Sequence, residues 1–158
     1  MWLLVISAFL LPGIVWLMPK KIPRLYLYAT TGVATYFQLL TDVFLHIELN
    51  WYGYFNPVPR SEWQTLWLVP IYFSIDPIFL NFYPYKKGMK RQILYMIGWS
   101  LFSTAYEWLA SQLGIFYHNK WKLYDSAIAY PFLFLLLRLQ LWLVMKLSEK
   151  DLVLKNGN

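Results

Sequence analysis

The sequence predicts an all-α protein, an integral membrane helical bundle of about five transmembrane helices. Two observations carry that fold class. Of 158 residues, 59% are apolar and only 14% charged, against roughly a quarter charged in an ordinary globular domain. Five spans of about 20 residues would absorb about 100 positions, close to the number of apolar residues present. Aromatics reach 21% and cysteine is absent, which excludes a disordered chain, a disulfide scaffold and thiolate chemistry.

The first span covers residues 2–18 (WLLVISAFLLPGIVWLM) and stops at Pro19-Lys20-Lys21. A cleaved signal peptide carries its charge before the apolar run and small residues after it. Here that order is reversed, so the segment is expected to stay in the mature protein. The second span, 25–47, leads into ELNWYGYFNPVPRSEW, whose Trp51, Tyr52, Tyr54, Phe55 and Trp63 suit the headgroup layer, where an amphipathic ring has one wet side. The third span, 64–85, carries Pro70, Pro77 and Pro84 at seven-residue intervals, near one helix face, where they are expected to kink or locally unwind it. Spans four and five cover 92–117 and 127–147, and a short polar tail follows. With no internal repeat, residues 1–158 read as a single transmembrane domain.

Orientation follows from the basic residues. Lys20, Lys21 and Arg24, then Lys86, Lys87, Lys90 and Arg91, then Lys146, Lys150 and Lys155 fall on one side, whereas Arg60, Lys120 and Lys122 fall on the other. Ten against three places the N-terminus outside and the C-terminus in the cytoplasm. Net charge is +6, but it sits in short clusters beside apolar spans instead of on one polar face, so no nucleic-acid partner is expected.

Ionisable groups inside a membrane cost about 2.5–3.5 kcal/mol each at a helix centre, so each needs a partner or a wet cavity. In span two, Thr31, Thr35, Gln38, Asp42 and His46 are spaced to share one helix face. In span four, Ser100, Thr104, Glu107 and Ser111 form a second polar stripe. At about 1.5 Å per residue, Asp42 lies about 25 Å along span two from its cytoplasmic end and Glu107 about 22 Å along span four. The candidate functional site is therefore an outer-leaflet group of Asp42, His46, Glu107 and Gln38, with Glu107 first among them because it lies deep between apolar neighbours. Asp76 falls about 18 Å from the outer face and Arg138 about 16 Å, matching depths that predict a buried ion pair.

Asp42, Glu107 and His46 suit two roles: hydrogen bonding within the bundle, or a proton relay, cation site or acid catalyst. A metal site would need several converging ligands, and only His46 and His118 exist, with Glu48, Glu62 and Asp125 nearby. No P-loop, HExxH or dinucleotide-binding turn occurs, so neither metal nor cofactor is expected. Part of the aromatic excess could line a groove for a lipid.

Asp42, the loop YFNPVPR, Asp76-Pro77, Glu107, and the run of Trp121, Lys122, Tyr130 and Pro131 together resemble a family of uncharacterised small multi-pass membrane proteins common in spore-forming Gram-positive bacteria. The resemblance spans about residues 42–138 and implies architecture and habitat, with no activity attached. The reading taken from the whole sequence is a non-enzymatic accessory, interaction or lipid-binding component of a bacterial cytoplasmic membrane. Its partners would be membrane lipids and another membrane protein or a second copy of the chain. The alternatives are a proton- or cation-coupled transport component and an intramembrane lipid-modifying enzyme, and transport from so small a chain would require an oligomer.

Overall fold

The computed structural model describes residues 2–55 and 66–156, with side chains through Glu149. Residues 56–65, including Arg60, Glu62, Trp63 and the NPVPR stretch, lie outside the described residues, as do the side chains of Lys150 and Lys155. The chain is mostly helical, with five α-helices among the described residues: α1 (Trp2–Leu17), α2 (Arg24–Asp42), α3 (Leu68–Phe82), α4 (Met89–Gln112) and α5 (Leu123–Asn156). A π-helical segment, Val43–Glu48, prolongs α2, and two short strands, β1 (Tyr52–Tyr54) and β2 (Phe116–His118), pair antiparallel.

α1 packs along α3, α4 along α5, and α2 lies between α3 and α5. Two apolar clusters hold these contacts. One joins Leu4 and Ala8 of α1 to Leu68 and Ile71 of α3 and to Ala110 and Ile115. The other centres on Phe79, fully enclosed, which stacks on Phe134 at 4.5 Å and meets Trp99 edge-on. Asn81 ties the far ends together: its amide donates to the Pro19 carbonyl at 2.9 Å and its oxygen accepts from the Lys21 N–H at 2.8 Å. Leu4 beside Leu68 and Pro19 beside Asn81 make α1 and α3 parallel, so the ribbon and the Lys20, Lys87 and Lys146 clusters fall at opposite ends of the bundle.

Helix ends follow local chemistry. α4 stops in a Schellman turn: Gly114 takes φ +66°, its N–H reaches the Ser111 carbonyl, the Ile115 N–H reaches that of Ala110, and Ile115 is buried against Ala110. The α4 helix therefore ends near 112, and 116–118, expected as helix, are strand. α5 begins four residues earlier than expected because the Asp125 carboxylate reaches back to the Lys122 N–H at 2.8 Å, satisfying a first-turn donor. Lys20 donates to the Val15 and Met18 carbonyls at the end of α1. Of the three prolines in the third span, only Pro77 stands well inside α3, which continues through it. Pro70 sits in the first turn, where its missing N–H costs nothing, and Pro84 follows the helix.

Among the described residues one helix, Leu123–Glu149, is long and apolar enough to cross a membrane by length and composition, and Trp2–Leu17 and Leu68–Phe82 are apolar but shorter.

Candidate functional site: two carboxylates under an aromatic ribbon

β1 and β2 are three residues each, in register Tyr52 with His118, Gly53 with Tyr117 and Tyr54 with Phe116. Alternation along a strand sends Tyr52, Tyr54, Phe116 and His118 to one face, and that face covers the bundle. Gly53 lies on the other face beneath the Tyr117 ring: a Cβ there would come 2.3 Å from that ring, which would have to swing aside. Backbone bonds from Trp121 and Asn119 to the Trp51 carbonyl, and a Trp51–Trp121 stack at 6.1 Å, close the ribbon's outer end.

Under the ribbon, Asp42 accepts three phenol hydrogen bonds: Oδ1 from Tyr52 at 2.6 Å and from Tyr54 at 3.2 Å, Oδ2 from Tyr72 of α3 at 3.1 Å. Tyr54 and Tyr72 also lie 2.8 Å apart, and since each hydroxyl has one proton, whichever donates across that contact gives up its bond to Asp42, which then accepts two. Burial pushes the phenols of Tyr52 and Tyr54 well above their ordinary 10.0, and the neighbouring Asp42 charge adds to it, so both stay protonated and donating. These two tyrosines, read from sequence as headgroup-layer residues, point into the protein.

Glu107, 8% exposed, accepts at Oε1 from His118 Nε2 and from Ser126, each at 2.8 Å, and at Oε2 from the Tyr130 hydroxyl at 2.6 Å. Trp121 in turn donates to Ser126 at 2.8 Å. Asp42 and Glu107 make no contact with each other, but each is held by one member of the same cross-strand pair, Tyr52 and His118.

The four residues singled out from sequence do not form one group. Gln38 turns to α3, where its Nε2 donates to Asp76 at 3.5 Å. His46 bonds no carboxylate among the described residues: its Nδ1 donates to the Tyr52 carbonyl at 3.1 Å and its ring meets Tyr54 edge-on. The π-helical segment is the cause, because i→i+5 turns put His46 out of the phase that a four-residue spacing from Asp42 assumes. His118, Ser126, Tyr130, Tyr72 and the two ribbon tyrosines complete the site instead.

The Asp76–Arg138 ion pair is not made. The Arg138 guanidinium lies over the Tyr83 ring at 5.0 Å, and Asp76 meets Gln38. Depths measured from the true helix starts explain this: Asp76 is about 12 Å into α3, which starts at Leu68, whereas Arg138 is about 22 Å into α5, which starts at Leu123. Both helices run away from the ribbon, so the two groups sit about 10 Å apart in level. Among the described residues the one contact within ion-pair distance is His118–Glu107, an ion pair only when the imidazole is protonated.

No family model, curated protein or solved structure matches this chain.

Proposed function

We propose that this chain is an integral membrane protein, a bundle of about five spans that acts without catalysis as a lipid-associated component of a bacterial cytoplasmic membrane. The observation that carries the reading is the distribution of polarity. Trp16, Leu17 and Trp2 are 86%, 82% and 79% exposed, and Phe9, Phe37, Phe132, Leu136 and Trp142 face outward too, whereas Thr30, Thr31, Thr35, Ser74, Asp76, Asn81, Ser100 and Glu107 are buried. Water would penalise so continuous an apolar surface, while lipid penalises unpartnered polar groups and drives them inward. The likeness to small multi-pass proteins of spore-forming Gram-positive bacteria belongs to the same proposal.

Two features support a lipid-associated, non-catalytic role. A groove of about 620 Å3, lined by Pro12, Val15 and Trp16 of α1 and by Val69 and Phe73 of α3, ends at Lys20 and Arg24. An acyl chain fits the apolar part and an anionic headgroup the basic end. Both ribbon carboxylates, in contrast, spend their oxygens on hydrogen bonds within the fold.

The absence of cysteine gives a clean test. Single cysteines at positions 56, 87 and 156 are treated with an impermeant thiol reagent on intact cells. Position 56 is expected to label, and 87 and 156 only after lysis. The opposite pattern would invert the orientation, and release of the protein from membranes by urea would overturn membrane integration itself.

A further inference from the structure

The outer carboxylates are satisfied by the fold, but the inner one is not. Asp76 is 3% exposed, its Oδ1 has only the long contact to Gln38, and its Oδ2 has no hydrogen-bond partner among the described residues. Nor do the Gln38 side-chain oxygen or the hydroxyls of Thr31 and Thr35, which are 1% and 5% exposed.

We infer that Asp76, Gln38 and Thr35 form a binding site for a monovalent alkali cation between α2 and α3. The site goes beyond the reading of the chain as a lipid-associated component and involves none of the ribbon residues.

Spacings of four and three put Thr31, Thr35 and Gln38 on one face of α2, and the Gln38–Asp76 contact shows that this face looks onto α3. The hydroxyls have forgone an easier arrangement. A helical threonine ordinarily bonds the carbonyl four residues back, as Thr41 does to Phe37 and Thr104 to Ser100, both at 2.8 Å. Thr31 and Thr35 do not, and their oxygens remain buried with lone pairs unused. Next to Asp76, Pro77 lacks an N–H, so the Phe73 carbonyl on the same side of α3 has no helical donor.

Charge and ligand type then choose the occupant. A buried carboxylate without a counter-charge requires a positive guest, and Arg138, the basic residue within these spans, is taken up by Tyr83. A proton would neutralise Asp76 but leave the hydroxyl and amide oxygens unfilled. A hard cation uses Asp76 with the Gln38 and Thr35 oxygens, since carboxylate, carbonyl and hydroxyl oxygens are its preferred ligands. Divalent sites are built from several acidic ligands, and among the described residues no group of three His, Asp or Glu converges. One negative charge surrounded by neutral oxygens balances a single positive one.

The experiment uses the full chain purified in detergent, exchanged into choline chloride and then titrated with sodium or potassium chloride at constant ionic strength. Thermal unfolding and 23Na NMR linewidth are the readouts. At least one of the two cations is expected to raise the midpoint above its value in choline, with sodium broadened by the protein. Asp76→Asn, close to isosteric, should abolish both effects while keeping the helical circular dichroism. Thr35→Val should weaken the apparent affinity by about tenfold, roughly 1.4 kcal/mol, and Thr35→Ser should restore it. Identical stability in sodium, potassium and choline would overturn the site, as would an Asp76→Asn protein that keeps the cation response. Stability that follows pH but ignores the cation would show that Asp76 holds a proton only, and would also overturn it. Membrane integration is read separately by thiol labelling and urea release, so failure of one proposal leaves the other standing.

Discussion

Replacing Glu107 with leucine is expected to lower unfolding stability in detergent by about 2–6 kcal/mol, the cost of leaving two buried hydroxyl donors without their acceptor. Three donors converge on this carboxylate, from His118 at the end of the ribbon and from Ser126 and Tyr130 on α5. Leucine accepts from none of them, so the Ser126 and Tyr130 hydroxyls are stranded in a low-dielectric site at about 1–3 kcal/mol each, while His118, partly exposed, turns to water. Glu107→Gln should cost less, about 1–3 kcal/mol. Its single amide oxygen keeps Ser126 or Tyr130, and its NH2 can donate to the Tyr130 oxygen or to a neutral His118. Ordering Glu107→Leu well below Glu107→Gln, with His118→Phe near the glutamine variant, is the expected pattern in thermal melts. Equal melting of all three with the parent would show that this network contributes no stability, and the glutamate would then have to be explained by an activity.

The five helices were legible because each is a long apolar run bounded by charge, proline or glycine, a signal that survives errors of a few residues at each end. Those few residues nevertheless decided the polar contacts. Starting α5 at 127 instead of Leu123, and α3 at 64 instead of Leu68, shifted Arg138 and Asp76 by about 6 Å each in opposite senses, enough to suggest a pair that the helices do not bring together. The ribbon was illegible for a different reason. Two strands of three residues carry too few positions for a period of two to stand out, and YGY beside a long apolar run has the composition of an interfacial belt. Only the pairing of Tyr52 with His118 reveals that both belong to the carboxylate sites. The stripe on α2 did place Asp42 and Gln38 on an inward face, but helical spacing does not say which neighbour each meets, and the π-helical turn removed His46 from the series.

Asp42 offers the sharpest test of the ribbon as a unit. Asp42→Leu takes the acceptor from Tyr52, Tyr54 and Tyr72 together, and although Tyr54 and Tyr72 can still bond each other, at least Tyr52, 8% exposed, is left with a buried hydroxyl. Hydrogen bonds to a charged group contribute about 1.5–3 kcal/mol each, and because one phenol proton is spent between Tyr54 and Tyr72, two act on Asp42 at a time, so a loss of about 3–6 kcal/mol is expected. Tyr52→Phe, which removes one donor and leaves two, should cost about 1.5–3 kcal/mol. In the Asp42→Leu background the same change should cost almost nothing, or restore stability, because the stranded hydroxyl goes with it. That coupling is the measurement that distinguishes a shared network from separate packing effects. The same chemistry sets a limit in alkali. The phenol pKa values of Tyr52 and Tyr54 are raised in the folded state by burial and by Asp42, so the folded protein holds protons that the unfolded chain releases above about pH 10. Stability is therefore full below that pH and falls as pH rises through the raised values. Phenolate absorbance from these two tyrosines should appear only together with unfolding, and earlier in Asp42→Leu than in the parent in step with its lower stability. If Tyr52→Phe costs the same in both backgrounds, the Tyr52–Asp42 bond carries no stability, and Tyr52 is held by its ring contacts, stacked on Phe116 and edge-on to Trp121.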